Sequence, residues 1–258
     1  MLLLNFKYIL NGLKNMKRFM FILLMFLNFY TFGKPLIIGV PEFAPPFVSR
    51  SGGGGETYFG FNIDLMNSIC KIIEMECQYK GMNIQQLYTN LNQGKLDIML
   101  APTPIVSTVG TNYIFSLPYL PSNAQVITLK ANNDINSLAD LKGKKVGTLK
   151  YTLYGSLFAE HFQDYFDLVQ FSKLSDMALA LSNQKIEAIV LNTNAAKYAM
   201  SNSATELKFV GDKMAIGDGY GILALKNNAP LIMKINKALL QIEKDGTYLE
   251  IYNTYFGD

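Results

Sequence analysis

Residues 96–105 read Leu-Asp-Ile-Met-Leu-Ala-Pro-Thr-Pro-Ile, and the segment they open closes on Phe115-Ser116-Leu117-Pro118-Tyr119. Within it, Ile98 to Ala101 form a short apolar strand, and strands of the same kind recur on both sides. Upstream, Leu36-Ile37-Ile38-Gly39-Val40 is a short buried-type strand. Two helices follow it, predicted over Asn62–Glu76 and Ile84–Asn92, the second stopped by Gly94 just past its end. Short apolar strands alternating with amphipathic helices argue for α/β architecture.

A second cycle begins near Gln125. Strands are predicted at Gln125–Leu129, Lys145–Leu149, Ala188–Leu191 and Leu207–Val210, with helices at Ser137–Gly143, Tyr154–Tyr165 and Asp176–Ser182. Gly221–Leu225 is the last strand. In the tail, Ile232, Ile235, Leu239 and Ile242 share one helical face, and a short aromatic helix after Gly246 runs to Phe256. Two cycles with a strand and helices left over imply two lobes, the tail returning to the first. The loop with Pro45-Pro46 and the Gly52–Gly55 run is a surface loop. It is no phosphate cradle, because no Lys-Ser/Thr follows and no helix opens directly from it.

The chain opens with a basic and then apolar stretch. Lys14, Lys17 and Arg18 precede an almost unbroken apolar run from Phe19 to Phe32 with a polar break at Asn28. Such a pattern is an export signal, and Thr31 and Gly33 place the cut after Gly33. The competing reading is an uncleaved anchor, for which the run is short of the ~20 apolar residues a spanning helix needs. No cysteine follows the run, which excludes a lipid anchor there. The full chain is +3, and the leader holds Lys7, Lys14, Lys17 and Arg18 with no acid, so the remainder is near 3 − 4 = −1. The basic balance belongs to the leader and gives no warrant for a nucleic-acid partner. After the leader, Arg50 is the one arginine, and the sequence has one histidine, His161.

The two cysteines are Cys70 and Cys77. In an exported protein such a pair is more often bridged than free, and two buried thiols are the alternative. Seven residues of unbroken helix would separate the Cα atoms by roughly 10 Å, whereas a disulfide needs about 4.4–6.8 Å. A bridge therefore requires the helix to end between them and the chain to turn back.

The frame from Leu96 to Tyr119 resembles the ligand-gripping segment of the family 3 extracellular solute-binding proteins, the amino-acid receptors of bacterial ABC importers. The likeness extends over nearly all of the chain after the leader. It includes Pro45-Pro46-Phe47, Gly60-Phe61-Asn62-Ile63-Asp64-Leu65, Leu138-Ala139-Asp140-Leu141-Lys142-Gly143, Lys244-Asp245-Gly246-Thr247-Tyr248 and Tyr255-Phe256. Receptors of this family for lysine, arginine and histidine carry a similar cysteine pair. The resemblance implies a two-lobe type II periplasmic-binding fold. By analogy, residues 34–122 plus 222–258 form the first lobe and 123–221 the second, hinged near Asn123 and Tyr220. It further implies a periplasmic location, a small-molecule solute, an ABC permease as partner, a monomer, no cofactor and no enzymatic role. Two alternatives on the same fold are a cyclohexadienyl-dehydratase-like enzyme and a sensing or interaction module.

Carried over residue by residue, the resemblance mostly carries over losses. The arginine that holds a ligand carboxylate falls on Val109, and the aspartate that meets the ligand amine falls on Asn192. Thr103 keeps the one hydroxyl between Pro102 and Pro104, and Thr152 lies in the second-lobe position between Tyr151 and Leu153. Each charged hydrogen bond contributes about 1.5–3 kcal/mol, so a standard α-amino acid is not the expected ligand. Aromatic rings at or near the expected cleft are Phe43, Phe47, Tyr119, Tyr151, Tyr154 and Tyr220, with Glu42 and Asp218 as acids. The candidate ligand-binding set is Glu42, Phe47, Thr103, Val109, Tyr119, Thr152 and Asn192. Several of the rings equally suit lobe core, and Lys150 near the second lobe's edge equally suits a solvated surface charge. His161 lacks a neighbouring acid or nucleophile pattern, and the sequence holds no metal-ligand cluster.

Overall fold

The computed structural model describes residues 34–52, 57–107, 110–162 and 164–257. The leader and the glycine run at 53–55 lie outside them. Strand β1 (Leu36–Pro41) opens the chain, and β2 (Ser49–Arg50) and β3 (Tyr58–Phe59) form a small hairpin. Then come α1 (Phe61–Ile72), β4 (Cys77–Met82), α2 (Ile84–Asn92), β5 (Ile98–Met99) and β6 (Tyr113–Phe115). The middle of the chain holds β7 (Asn123–Leu129), a 3-10 turn at Leu138–Leu141, β8 (Lys145–Leu149) and α3 (Leu153–Phe162). It continues with β9 (Asp167–Phe171), α4 (Leu174–Ser182), β10 (Ala188–Asn192), α5 (Thr193–Asn202) and β11 (Leu207–Ala215). Finally β12 (Leu223–Leu225) leads into α6 (Ala229–Lys244) and α7 (Thr247–Phe256). Among the described residues no helix is long and apolar enough to cross a membrane.

Two mixed five-stranded sheets organise the protein. The first has the order β4-β1-β5-β12-β6 and the second β11-β7-β10-β8-β9. In each, three neighbouring strands pair in parallel and the remaining two pairings are antiparallel. Each sheet is covered on both faces. Leu36, Ile38 and Val40 face α1 and the tail helices, while Leu87 and Leu91 of α2 pack with Met99 and Leu223 on the other side. In the second sheet Phe158 of α3 covers one face, and Met177 of α4 with Ala196 of α5 covers the other. Double coverage is why the strands read as near-continuous apolar runs rather than alternating ones.

Helix α1 shows how local chemistry sets the elements. Its first two N–H groups donate to Pro46 O and Phe47 O, each at 3.0 Å. These bonds cap donors that a helix start leaves unpaired. They require the loop to press against Gly60, whose φ of 128° and contact with the Phe47 carbonyl leave no space for a Cβ. The helix ends at Ile72, four residues earlier than expected from sequence. Glu74 takes φ 55° and turns the chain back, so Cys77 enters β4 with its Cα 6.2 Å from that of Cys70. The two are disulfide-bonded, tying a helix end to the neighbouring strand. The end of α2 follows its sequence signal. Gly94 is left-handed (φ 66°), and Lys95 N–H and Gly94 N–H donate to Asn90 O and Leu91 O at 2.9 and 3.0 Å.

The tail returns to the first sheet. Ile232, Ile235, Leu239 and Ile242 of α6 are all buried, each contributing about 1.5–3 kcal/mol by leaving water. From α7, the Phe256 ring lies 4.8 Å from that of Phe61, and Tyr255 donates to the Asp64 carboxylate at 2.5 Å. Burial first, and then the bond to Asp64, pushes the Tyr255 phenol up to about 12. Strands β6 and β9 and helix α5 are elements that the sequence pattern did not disclose.

The disulfide closes a loop of eight residues, and constraining such a loop in the unfolded chain stabilises by about 2–3 kcal/mol. Replacing both cysteines by serine is expected to lower the unfolding free energy by about 2 kcal/mol in urea titrations and the melting temperature by roughly 4–8 °C.

Candidate functional site

The carboxyl ends of three parallel strands in each sheet face a common cleft. On the first side stand the residues after β1, β4 and β5, and on the second those after β8, β9 and β10. Open α/β sheets place ligands at such strand ends. The cleft encloses ≈ 480 Å³, within the range of small-molecule sites.

Four of the residues expected from sequence line it together: Glu42 and Thr103 from the first side, Thr152 and Asn192 from the second. Two do not. Phe47 is fully buried and Tyr119 is 3% exposed, and both pack in the first core with Phe61 and Tyr220. These rings are correctly placed in sequence near the cleft edge, but their side chains point into the core, where Tyr119 O–H donates to Ala101 O at 3.4 Å. Tyr220 is likewise buried. Val109 and the side chain of Tyr154 lie outside the described residues.

Of the other candidates, Phe43 lines the cleft and is 59% exposed, whereas Tyr151 does not line it and projects to solvent with φ 63°. Asp218 lines a separate depression at the crossing between the sheets, beside Glu243 and Tyr248. His161 is exposed on α3, its ring edge-on to Phe162 at 5.4 Å, and is no part of the cleft. Among the described residues there is no cluster of ligating side chains able to hold a metal ion.

The second wall is built from capping residues. Asn192 precedes α5, and its carboxamide oxygen accepts from Ala195 N–H at 2.8 Å. Thr152 stands at the start of α3, where its hydroxyl accepts from Gly155 N–H at 2.9 Å and donates to Leu149 O at 3.0 Å. The requirement of helix starts for an oxygen acceptor therefore occupies both side chains, leaving Asn192 Nδ2 as a donor. Lys150, Ser172, Lys173 and Ser175 are the further polar residues of this wall. Of these only Lys150 was a candidate from sequence, because the strand before Ser172 went unrecognised. On the first side Tyr88 contributes a phenol that burial, and then the neighbouring Tyr113, pushes up to about 12, so it stays a neutral donor at any physiological pH.

The helices, the two sheets and the cleft define a type II periplasmic binding protein. Residues 36–258 match the family model "Bacterial extracellular solute-binding proteins, family 3", and the chain belongs to that family. It is 28% identical over 236 residues to ABC transporter arginine-binding protein 1 of Escherichia coli (strain K12), covering 88% of this chain and 94% of that protein. It is 26% identical over 223 residues to the L-cystine-binding protein TcyJ of the same organism, covering 86% and 82%. Among solved structures, an arginine third transport system periplasmic binding protein from Legionella pneumophila superposes with a TM-score of 0.81 at 35% identity, over 87% of this chain and 100% of that one. An ancestral arginine-binding protein bound to arginine gives 0.79 at 31% identity, over 88% and 100%. These relatives are binding proteins rather than enzymes.

If Asn192 serves α5 as a cap, Asn192→Ala is expected to cost about 1 kcal/mol of stability, while Asn192→Asp keeps the acceptor and costs less than about 0.5 kcal/mol. Urea unfolding of the two variants measures the difference.

Proposed function

We propose that this protein is the periplasmic solute receptor of an ABC importer of the polar amino-acid type. Residues 1–33 direct its export and are removed after Gly33. The chain then works as a monomer, with lobes formed by residues 34–122 plus 222–258 and by 123–221. The lobes close by hinge motion on a small solute, and the closed form engages the permease. No cofactor takes part.

The observation that carries this reading is the cleft itself, walled by three strand ends from each of two separate sheets. A ligand held there touches both sheets at once, so its binding energy favours the form in which they approach. The solute differs from a standard α-amino acid, because neutral Val109 and Asn192 stand at the two positions where the family's pattern has charges. Relatives named for arginine and for cystine support an elongated, charged solute of similar size.

A solute library followed by melting temperature and small-angle scattering tests the proposal. A true ligand at 100-fold above its Kd stabilises by about 2.7 kcal/mol, a rise of roughly 5–10 °C for a chain of this size, and closure lowers the radius of gyration. Failure of every solute at millimolar concentration to change either quantity contradicts a transport role.

A further inference from the structure

We infer that the cleft takes a zwitterion whose acid and cation stand apart, with Lys150 and Lys173 holding the acid, Glu42 facing the cation, and no requirement for an α-ammonium group. The inference rests on the receptor reading above and names the class of solute.

Three charged side chains line the cleft among the described residues: Glu42 on the first wall, Lys150 and Lys173 on the second. The two lysines share one wall because they follow the ends of neighbouring strands. Strands β8 and β9 run parallel with Leu149 opposite Phe171, and Lys150 N–H donates to Phe171 O at 2.8 Å. Each lysine thus leaves the end of a neighbouring strand, one residue past the pair on β8 and two past it on β9. Among the described residues none of the three charges has an ion-pair partner. Two like charges on one wall of a cleft favour an anion there. Asn192 Nδ2, the donor left after capping, adds to the same preference.

The same wall is poor at receiving an ammonium group. The oxygens of Asn192 and Thr152 already accept from Ala195 and Gly155 N–H, and no carboxylate lines that side among the described residues. The one acid, Glu42, sits on the opposite wall. The lining also includes Phe43, Pro45, Tyr88 and Leu174, apolar surface that suits a methylene spacer. An α-amino acid with a basic side chain could place its two outer charges in this way, but its α-ammonium would then lie against two lysines with no carboxylate on that wall to balance it.

Isothermal titration calorimetry on the purified protein with two matched pairs tests this: 6-aminohexanoate against L-lysine, and 5-guanidinopentanoate against L-arginine. Each pair differs only by the α-amino group. In at least one pair the compound lacking that group is expected to bind as tightly as its parent or up to tenfold tighter. Glu42→Gln, and separately the double change Lys150→Ala with Lys173→Ala, should each weaken its binding tenfold or more. Melting curves of the variants confirm that they fold. Binding of the α-amino parents more than tenfold tighter than their counterparts overturns the inference and leaves the receptor reading intact. Unchanged affinity in the variants overturns it as well. No binding of either pair at millimolar concentration also overturns it, and the receptor reading then stands or falls on the solute library.

Discussion

The chain passes between its two sheets through two adjacent connections, residues 116–122 and 216–222, and these are bonded to each other. Tyr119 N–H donates to Tyr220 O at 2.9 Å and Tyr220 N–H to Leu120 O at 2.8 Å. Ser122 adds a second tie, accepting from Ile216 N–H at its carbonyl and from Gly219 N–H at its hydroxyl, which in turn donates to Ile216 O. Tyr220 is 1% exposed and wedged against Phe47 at 5.9 Å, so the paired strands are anchored in the first core. The segment after β5 is bonded to the same place, through Ile105 N–H to Gly219 O and Gly221 N–H to Thr103 O at 2.8 and 3.1 Å. One small network thus fixes where the first wall of the cleft stands relative to the path into the second sheet.

That constraint explains why the site is assembled from strand ends and helix starts rather than from one loop. With few connections between the sheets, any group that bridges them must come from the residues that leave the strands toward the gap. Those residues are the ones that must also start helices, so Thr152 and Asn192 have a structural duty first. The charges that line the cleft among the described residues are borne on longer side chains, Glu42 opposite Lys150 and Lys173. The distribution agrees in kind with the loss of the arginine and aspartate expected at Val109 and Asn192.

Much of the fold was legible in the sequence because the signals were chemical. The apolar spacing of α6 and the stop at Gly94 each have one physical solution, and a bridge between Cys70 and Cys77 requires the turn that the structure shows. Helix α5 was missed because only Ala195 and Ala196 of its ten residues are buried, which gives almost no apolar stripe. With the helix unseen, the capping duty of the Asn192 oxygen went unread, although the residue does line the cleft. Strand β9 is an edge strand with no fully buried residue, and missing it hid Lys173. Phe47 and Tyr119 show the opposite limit. Position along the chain placed them beside the cleft, but the direction of a side chain depends on the tail helices that pack over it, and Tyr248 donates to Tyr119 O from 129 residues away.

The central claim is that the cleft between the two sheets holds the solute. The most direct measurement is a crystal structure of the protein grown with whichever solute raises its melting temperature most. The account predicts that solute between the strand ends, with its acidic group within hydrogen-bond reach of Lys150 or Lys173 and its far end toward Glu42. A solute seated instead in the depression beside Asp218 and Glu243, or in the cleft with its acid turned to Glu42, would contradict it.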